Sequence, residues 1–137
     1  MNLVLFSEAS PIILLHLMFA VLVIVIGAIQ FICNKGTTLH RGLGYVWIIA
    51  MLVICLSSFG IKTIMPSGIF GDFSPIHLLS IWVLFQLARG IYFARKHEIA
   101  RHRKCMVYTY VGGLLIAGAF TLMPGRFLYK VLLAPWI

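Results

Sequence analysis

From Ala9 to Asn34 the chain carries no charged side chain. A helix needs about 20 predominantly apolar residues, at ~1.5 Å each, to cross the roughly 30 Å of hydrocarbon in a bilayer. The first run therefore reads as a membrane-spanning helix over Pro11–Cys33, with proline suited to the opening turn. Three more runs of similar length follow, over His40–Ile64, Pro75–Lys96 and His102–Met123. Asn34-Lys35-Gly36 ends the first, Met65-Pro66-Ser67-Gly68 the second and Pro124-Gly125 the last. The remaining tail, Phe127–Ile137, is too short to span. Its Tyr129, Lys130 and Trp136 are suited to a membrane–water interface.

Composition closes the soluble alternative. Of 137 residues, 62% are hydrophobic and 10% are charged, where soluble domains are about half apolar and about a quarter charged. So short a chain has too little interior to hide that surface, and the surplus must face lipid. The expected fold is all-α: one integral membrane domain, a four-helix transmembrane bundle. No positive n-region precedes the first run, so it is expected to persist as a helix rather than be cleaved as a signal. Cys33, Cys55 and Cys105 are odd in number and widely spaced, which argues against a disulfide framework.

The net charge of +8 sets eleven Lys and Arg against Glu8, Asp72 and Glu98. The basic residues stand between and beside apolar runs, so they point to anionic head groups at the cytoplasmic face rather than to nucleic acid. The loops after the first and third helices hold Lys35, Arg41, Arg95, Lys96, Arg101, Arg103 and Lys104, against Lys62, Arg126 and Lys130 on the other side. Seven against three places both basic loops in the cytoplasm and both termini outside a bacterial-type inner membrane.

The chain also repeats itself. His16 precedes His40-Arg41 by 24 positions, and His77 precedes His102-Arg103 by 25. Gln30 and Gln86 lie late in the first and third helices. The bundle is therefore expected to consist of two helical hairpins related as a parallel repeat.

Ionisable residues within a span are costly and usually mark either an interhelical contact or a site. His16 admits both readings, as a hydrogen-bonding imidazole or as an iron ligand. His16 could meet His77 at the outer end and His40 could meet His102 at the inner end, giving two bis-histidine sites for haem b. The levels would lie roughly 25–30 Å apart along the helices, with the inner pair close to water. The alternative is that the His-Arg pairs anchor lipid phosphates. Arg89 and Arg126 could pair with a haem propionate or a quinone, or simply snorkel. A second candidate site combines Cys33, His40, His102 and Cys105 around zinc or copper, although nearby Lys and Arg oppose a cation. Gly112, Gly113 and Gly118 suggest close helix packing. Three acids in the whole chain leave little scope for acid–base catalysis.

His16, His40-Arg41-Gly42-Leu43-Gly44-Tyr45, His102-Arg103-Lys104-Cys105-Met106 and Pro124-Gly125-Arg126 together resemble the bacterial membrane proteins of domain-of-unknown-function family 2306. The resemblance implies a polytopic membrane protein and no particular activity. More distantly, the four-helix, four-histidine plan is similar to cytochromes of the b561 kind, which pass electrons across membranes through two b-type haems. The function expected is thus a transmembrane electron carrier, with a quinone or another redox protein as partner. Its alternative is a non-catalytic metal-binding, assembly or structural protein whose histidines anchor it to lipid.

Overall fold

The computed structural model describes residue 4, residues 7–61 and residues 75–133. Among these, four helices are long and apolar enough to cross a membrane, and no strand is present. We number them α1 (Pro11–Ile32), α2 (Thr38–Gly60), α3 (Pro75–Arg95) and α4 (Ile99–Thr121).

Local chemistry sets their ends. Proline opens α1, where a missing N–H costs nothing. At its other end the Lys35 ammonium donates to the carbonyls of Gln30, Phe31 and Cys33, at 3.1, 2.7 and 2.7 Å, satisfying acceptors that a helix terminus leaves open. Gly36 then turns the chain with φ +80°. Thr37 caps α2, its hydroxyl accepting from the His40 N–H at 3.2 Å. This cap starts α2 two residues before the expected His40. The start of α4 moves three residues earlier, to Ile99, because backbone hydrogen bonding does not stop where apolar sequence stops. His97, at φ +57°, makes the turn, and Arg101 pairs with Glu98 at 3.0 Å in the first solvated turn. The expected end of α2 at Ile64, the break over Met65–Gly68, Lys62, and tail residues 134–137 with Trp136 lie outside the described residues.

Midway along, α4 changes winding. Thr109–Ile116 is π-helical, an arrangement that usually marks a constraint from packing or function. Beyond the turn at Gly125 (φ +89°), the tail forms a short π-helical turn over Tyr129–Leu133. Val131 in that turn is buried, so this part of the tail is packed against protein.

The helices form a closed ring. α1 packs on α2, α2 on α3 and α3 on α4, while the π-helical stretch of α4 returns to α1. α1 and α3 therefore oppose each other across the bundle, as do α2 and α4. Val23 and Ile26 of α1, Trp47, Met51 and Ile54 of α2, Val83 and Leu87 of α3 and Leu114 of α4 fill the centre. Equally large side chains, among them Val25, Ile49, Leu56, Phe85 and Leu115, stand exposed outside. That apolar exterior is what lipid solvates.

Glycines set the closest approaches. A side chain at Gly113 would lie 2.8 Å from Val83, and one at Gly90 would overlap the Met106 thioether, so α3 and α4 nearly touch. Gly112 would meet Trp82 at 3.2 Å, whereas Gly118 faces open space. Two of the three glycines read as packing residues are such.

Candidate histidine site

The four span histidines lie in two layers. In the layer far from the basic loops, His16 of α1 meets Ser57 of α2, Nδ1 to Oγ, at 2.8 Å. Ser57 directs its own proton to the Ile54 carbonyl at 3.0 Å, so the imidazole is the donor and carries its proton on Nδ1. Its lone pair is then on Nε2. The next residue, Ser58, lies 2.6 Å from the Cys55 carbonyl and shares a hydroxyl–hydroxyl hydrogen bond of 2.7 Å with Ser80 of α3, which in turn reaches the Ile76 carbonyl at 3.2 Å. His77 of α3 donates from Nε2 to the Ser58 carbonyl at 3.2 Å and stacks on Phe59, with ring centroids 5.2 Å apart and planes inclined by 9°. Two histidines and three serines thus join three helices at one level.

Sequence reasoning found the histidines and missed the serines. The signal was available: Ser57-Ser58 is an isolated polar pair in an apolar run, and Ser80 follows His77 by one turn.

At the basic end, Gln30 of α1 donates from Nε2 to the His40 carbonyl at 2.8 Å. The other side of that contact is incomplete. Gln30 Oε1 and His40 Nδ1 are both buried with no hydrogen-bond partner among the described residues, a costly state for polar atoms. His102 of α4 donates from Nδ1 to the Gly90 carbonyl of α3 at 2.9 Å, which leaves the Nε2 lone pair open for ligation. His40 and His102 both stand in the first turn of their helices at this end, and Lys35 adds positive charge in the turn before α2. Between the layers, Trp47 donates to the Val23 carbonyl and Tyr110 to the Ile24 carbonyl, each at 2.9 Å.

The hairpins repeat in outline, but their polar bonds do not. His16 bonds within its own half, whereas His77 crosses to the other half. His102 is tied to a carbonyl of α3, while the corresponding nitrogen of His40 has no partner among the described residues.

The remaining candidates are dispersed. Among the described residues no group of three His, Cys, Asp or Glu side chains is placed to hold one metal ion, Cys33, His40, His102 and Cys105 included. Cys105 is buried against α3 beside Gly90, whereas Cys33 follows the end of α1 and donates its N–H to Ile29. Arg89 is exposed on the outside of α3 rather than directed into the bundle. Arg126 is half-buried in the turn after α4, remote in sequence from both histidine layers.

An axial pair for haem needs two imidazole lone pairs aimed across one gap, each ring oriented by its second nitrogen. His102 has its second nitrogen oriented in this way, and His40, whose Nδ1 is orphaned among the described residues, stands on the diagonally opposite helix. The two rings of the other layer present different nitrogens. His16 has its lone pair on Nε2, but His77 commits Nε2 to Ser58 and lays its ring face against Phe59. The two histidine layers are therefore not equivalent, and His40 and His102 at the basic end are the remaining candidates for a shared ligand.

Residues 13–134 match the family described as Predicted membrane protein (DUF2306). No curated protein and no solved structure matches the chain, cytochromes of the b561 kind included.

Proposed function

The chain belongs to the DUF2306 family of membrane proteins, and from that premise we propose that it is an electron-transfer module holding one b-type haem at its basic end. The observation that carries this reading is the unsatisfied buried nitrogen of His40, at the end of the bundle where the Gly90 carbonyl orients His102. His40 and His102 supply the axial nitrogens in this reading. Arg41 and Arg103 supply cations at the rim for propionates. Gln30 holds the first turn of α2 through the His40 carbonyl. Bound haem b would supply one-electron chemistry between ferrous and ferric iron, with a quinone or a redox protein as partner. The seven-to-three asymmetry of basic residues supports an inner-membrane location with this end in the cytoplasm and both termini outside.

An absorption spectrum tests the proposal. Protein purified from haem-replete cells should show a Soret band and a reducible visible spectrum, lost in His40→Ala and His102→Ala. His97→Ala should keep it, because that residue sits in the exposed turn, and so should His16→Ala. Colourless, monodisperse protein would overturn the reading. A second reading rests on the serine–histidine layer, where each imidazole is used for helix cohesion. On that reading the chain is a non-catalytic structural or assembly protein anchored by its basic end, with neither haem nor zinc or copper found by spectroscopy and elemental analysis.

A further inference from the structure

Arg89 sits on the outside of a membrane-spanning helix, and its geometry differs from that of a snorkelling side chain. Its guanidinium carbon lies 5.6 Å from the centroid of Phe85, one turn towards the membrane interior, and 5.6 Å from that of Phe93, one turn towards the loop. Nη1 donates at 3.2 Å to Oε1 of Gln86, a buried residue on the interior side. The side chain is therefore held at its own level instead of stretching along the helix to the nearest loop. Phe93 carries a second guanidinium, that of Arg101 from α4, at 5.5 Å. Arg101 is paired with Glu98. Among the described residues no acid pairs with Arg89, so the group of Arg89, Arg101 and Glu98 keeps one net positive charge.

Helix register gives the level of this group. The His102 bond to the Gly90 carbonyl and the contact of Gly90 with Cys105 and Met106 set Arg89 and Gly90 beside residues 102–106. Arg89 is thus level with Arg103 and Lys104, where the basic residues of this end meet the head groups. Lys96 over Tyr92, at 5.8 Å, and Lys104 over Tyr108, at 5.7 Å, repeat the cation–ring motif around it. A guanidinium has five N–H donors, and the bond of Arg89 to Gln86 uses one of them.

We propose that Arg89 and Arg101, flanking Phe93 on the lipid face of α3 and α4, bind the phosphate of an anionic glycerophospholipid. Charge-assisted, paired hydrogen bonds suit a phosphate held by guanidinium. The adjoining exposed surface of Phe85 and Ile81 continues towards the bilayer interior, where acyl chains lie. That continuity favours a lipid over a free anion. The site is independent of haem.

Native mass spectrometry of the full chain in neutral detergent tests it, with dioleoyl-phosphatidylglycerol, dioleoyl-phosphatidylcholine and inorganic phosphate as probes. Phosphatidylglycerol should be retained in preference to phosphatidylcholine. Arg89→Gln and Arg101→Gln should each weaken that retention about fivefold, the effect of one juxtamembrane cation. Arg126→Gln, in the turn after α4, should leave it unchanged. Should Arg89→Gln fail to fold, Arg89→Lys preserves the charge without the planar stack and should still lose part of the retention. Equal retention of both lipids overturns the site, as does full retention in a monodisperse Arg89→Gln or Arg89→Lys protein. Displacement of bound phosphatidylglycerol by millimolar inorganic phosphate would overturn the assignment to lipid.

Discussion

Gly27 is the position where one methyl group should cost most. It is buried where α1, α2 and α4 meet, and the Cβ of an alanine there would overlap the Tyr110 ring and lie 3.0 Å from Trp47 Nε1. Neither neighbour can swing away without loss. Tyr110 is held by its bond to the Ile24 carbonyl and by an edge contact with Phe31, centroids 5.1 Å apart. Trp47 is held by its bond to the Val23 carbonyl. Overpacking of this kind costs about 1–3 kcal/mol. Weakening two interhelical hydrogen bonds adds about 1 kcal/mol, at ~0.6 each. The gain in helix propensity from Gly to Ala returns about 1 kcal/mol. Gly27→Ala should therefore destabilise the bundle by about 1–3 kcal/mol. Unfolding in mixed micelles with increasing dodecyl sulfate, followed by circular dichroism, measures this. The cause is separable from the size, because truncating Tyr110 makes room for the methyl group. Tyr110→Ala should cost less in the Gly27→Ala background than in the wild type. A loss below about 0.5 kcal/mol, or no coupling between the two substitutions, would refute the packing argument.

Gly118→Ala supplies the contrasting case: with nothing within 4 Å of the added methyl, the same assay should show no loss of stability. Ser58→Ala removes the hydroxyl bond to Ser80 and should cost about 0.6–1.7 kcal/mol, while Thr121→Ala, whose hydroxyl bonds within its own helix, should cost less. A cysteine pair replacing His16 and Ser57 should crosslink readily, and failure to do so while the bundle stays folded would contradict the serine–histidine layer. A reporter fused after Ile137 should be active only outside the cytoplasm, and one inserted beside Glu98 only inside; the reverse pattern would invert the proposed orientation.

The existence and lengths of the helices were legible in the sequence because crossing hydrocarbon is a one-dimensional constraint. Every backbone polar group must be satisfied within its segment, so apolar length alone announces α1 to α4, to within a few residues at each described end. The ends that shifted did so for local reasons: the Thr37 hydroxyl reached back to cap α2, and Arg101 with Glu98 carried α4 into water. The histidines were also legible, since an imidazole in an apolar run stands out.

Their partners were not. Lipid and protein interior are both apolar, so the pattern along a span says little about which side faces inward. Val23 is fully buried and Val25, two residues on, is exposed, yet in sequence they are the same residue. The pairing of His16 with Ser57, the turn of His77 towards Ser58, and the holding of Arg89 between two rings each depend on helix rotation and register. Those are set by where glycines let helices approach, at Gly27, Gly90 and Gly113, and by the π-helical stretch that returns α4 to α1. The sequence by itself determined that the chain crosses a membrane four times with its positive charge gathered at one end. Only the tertiary structure decided which polar atoms meet, because hydrogen bonds of about 3 Å select one rotation of each helix, whereas hydrophobic burial in lipid hardly distinguishes among them.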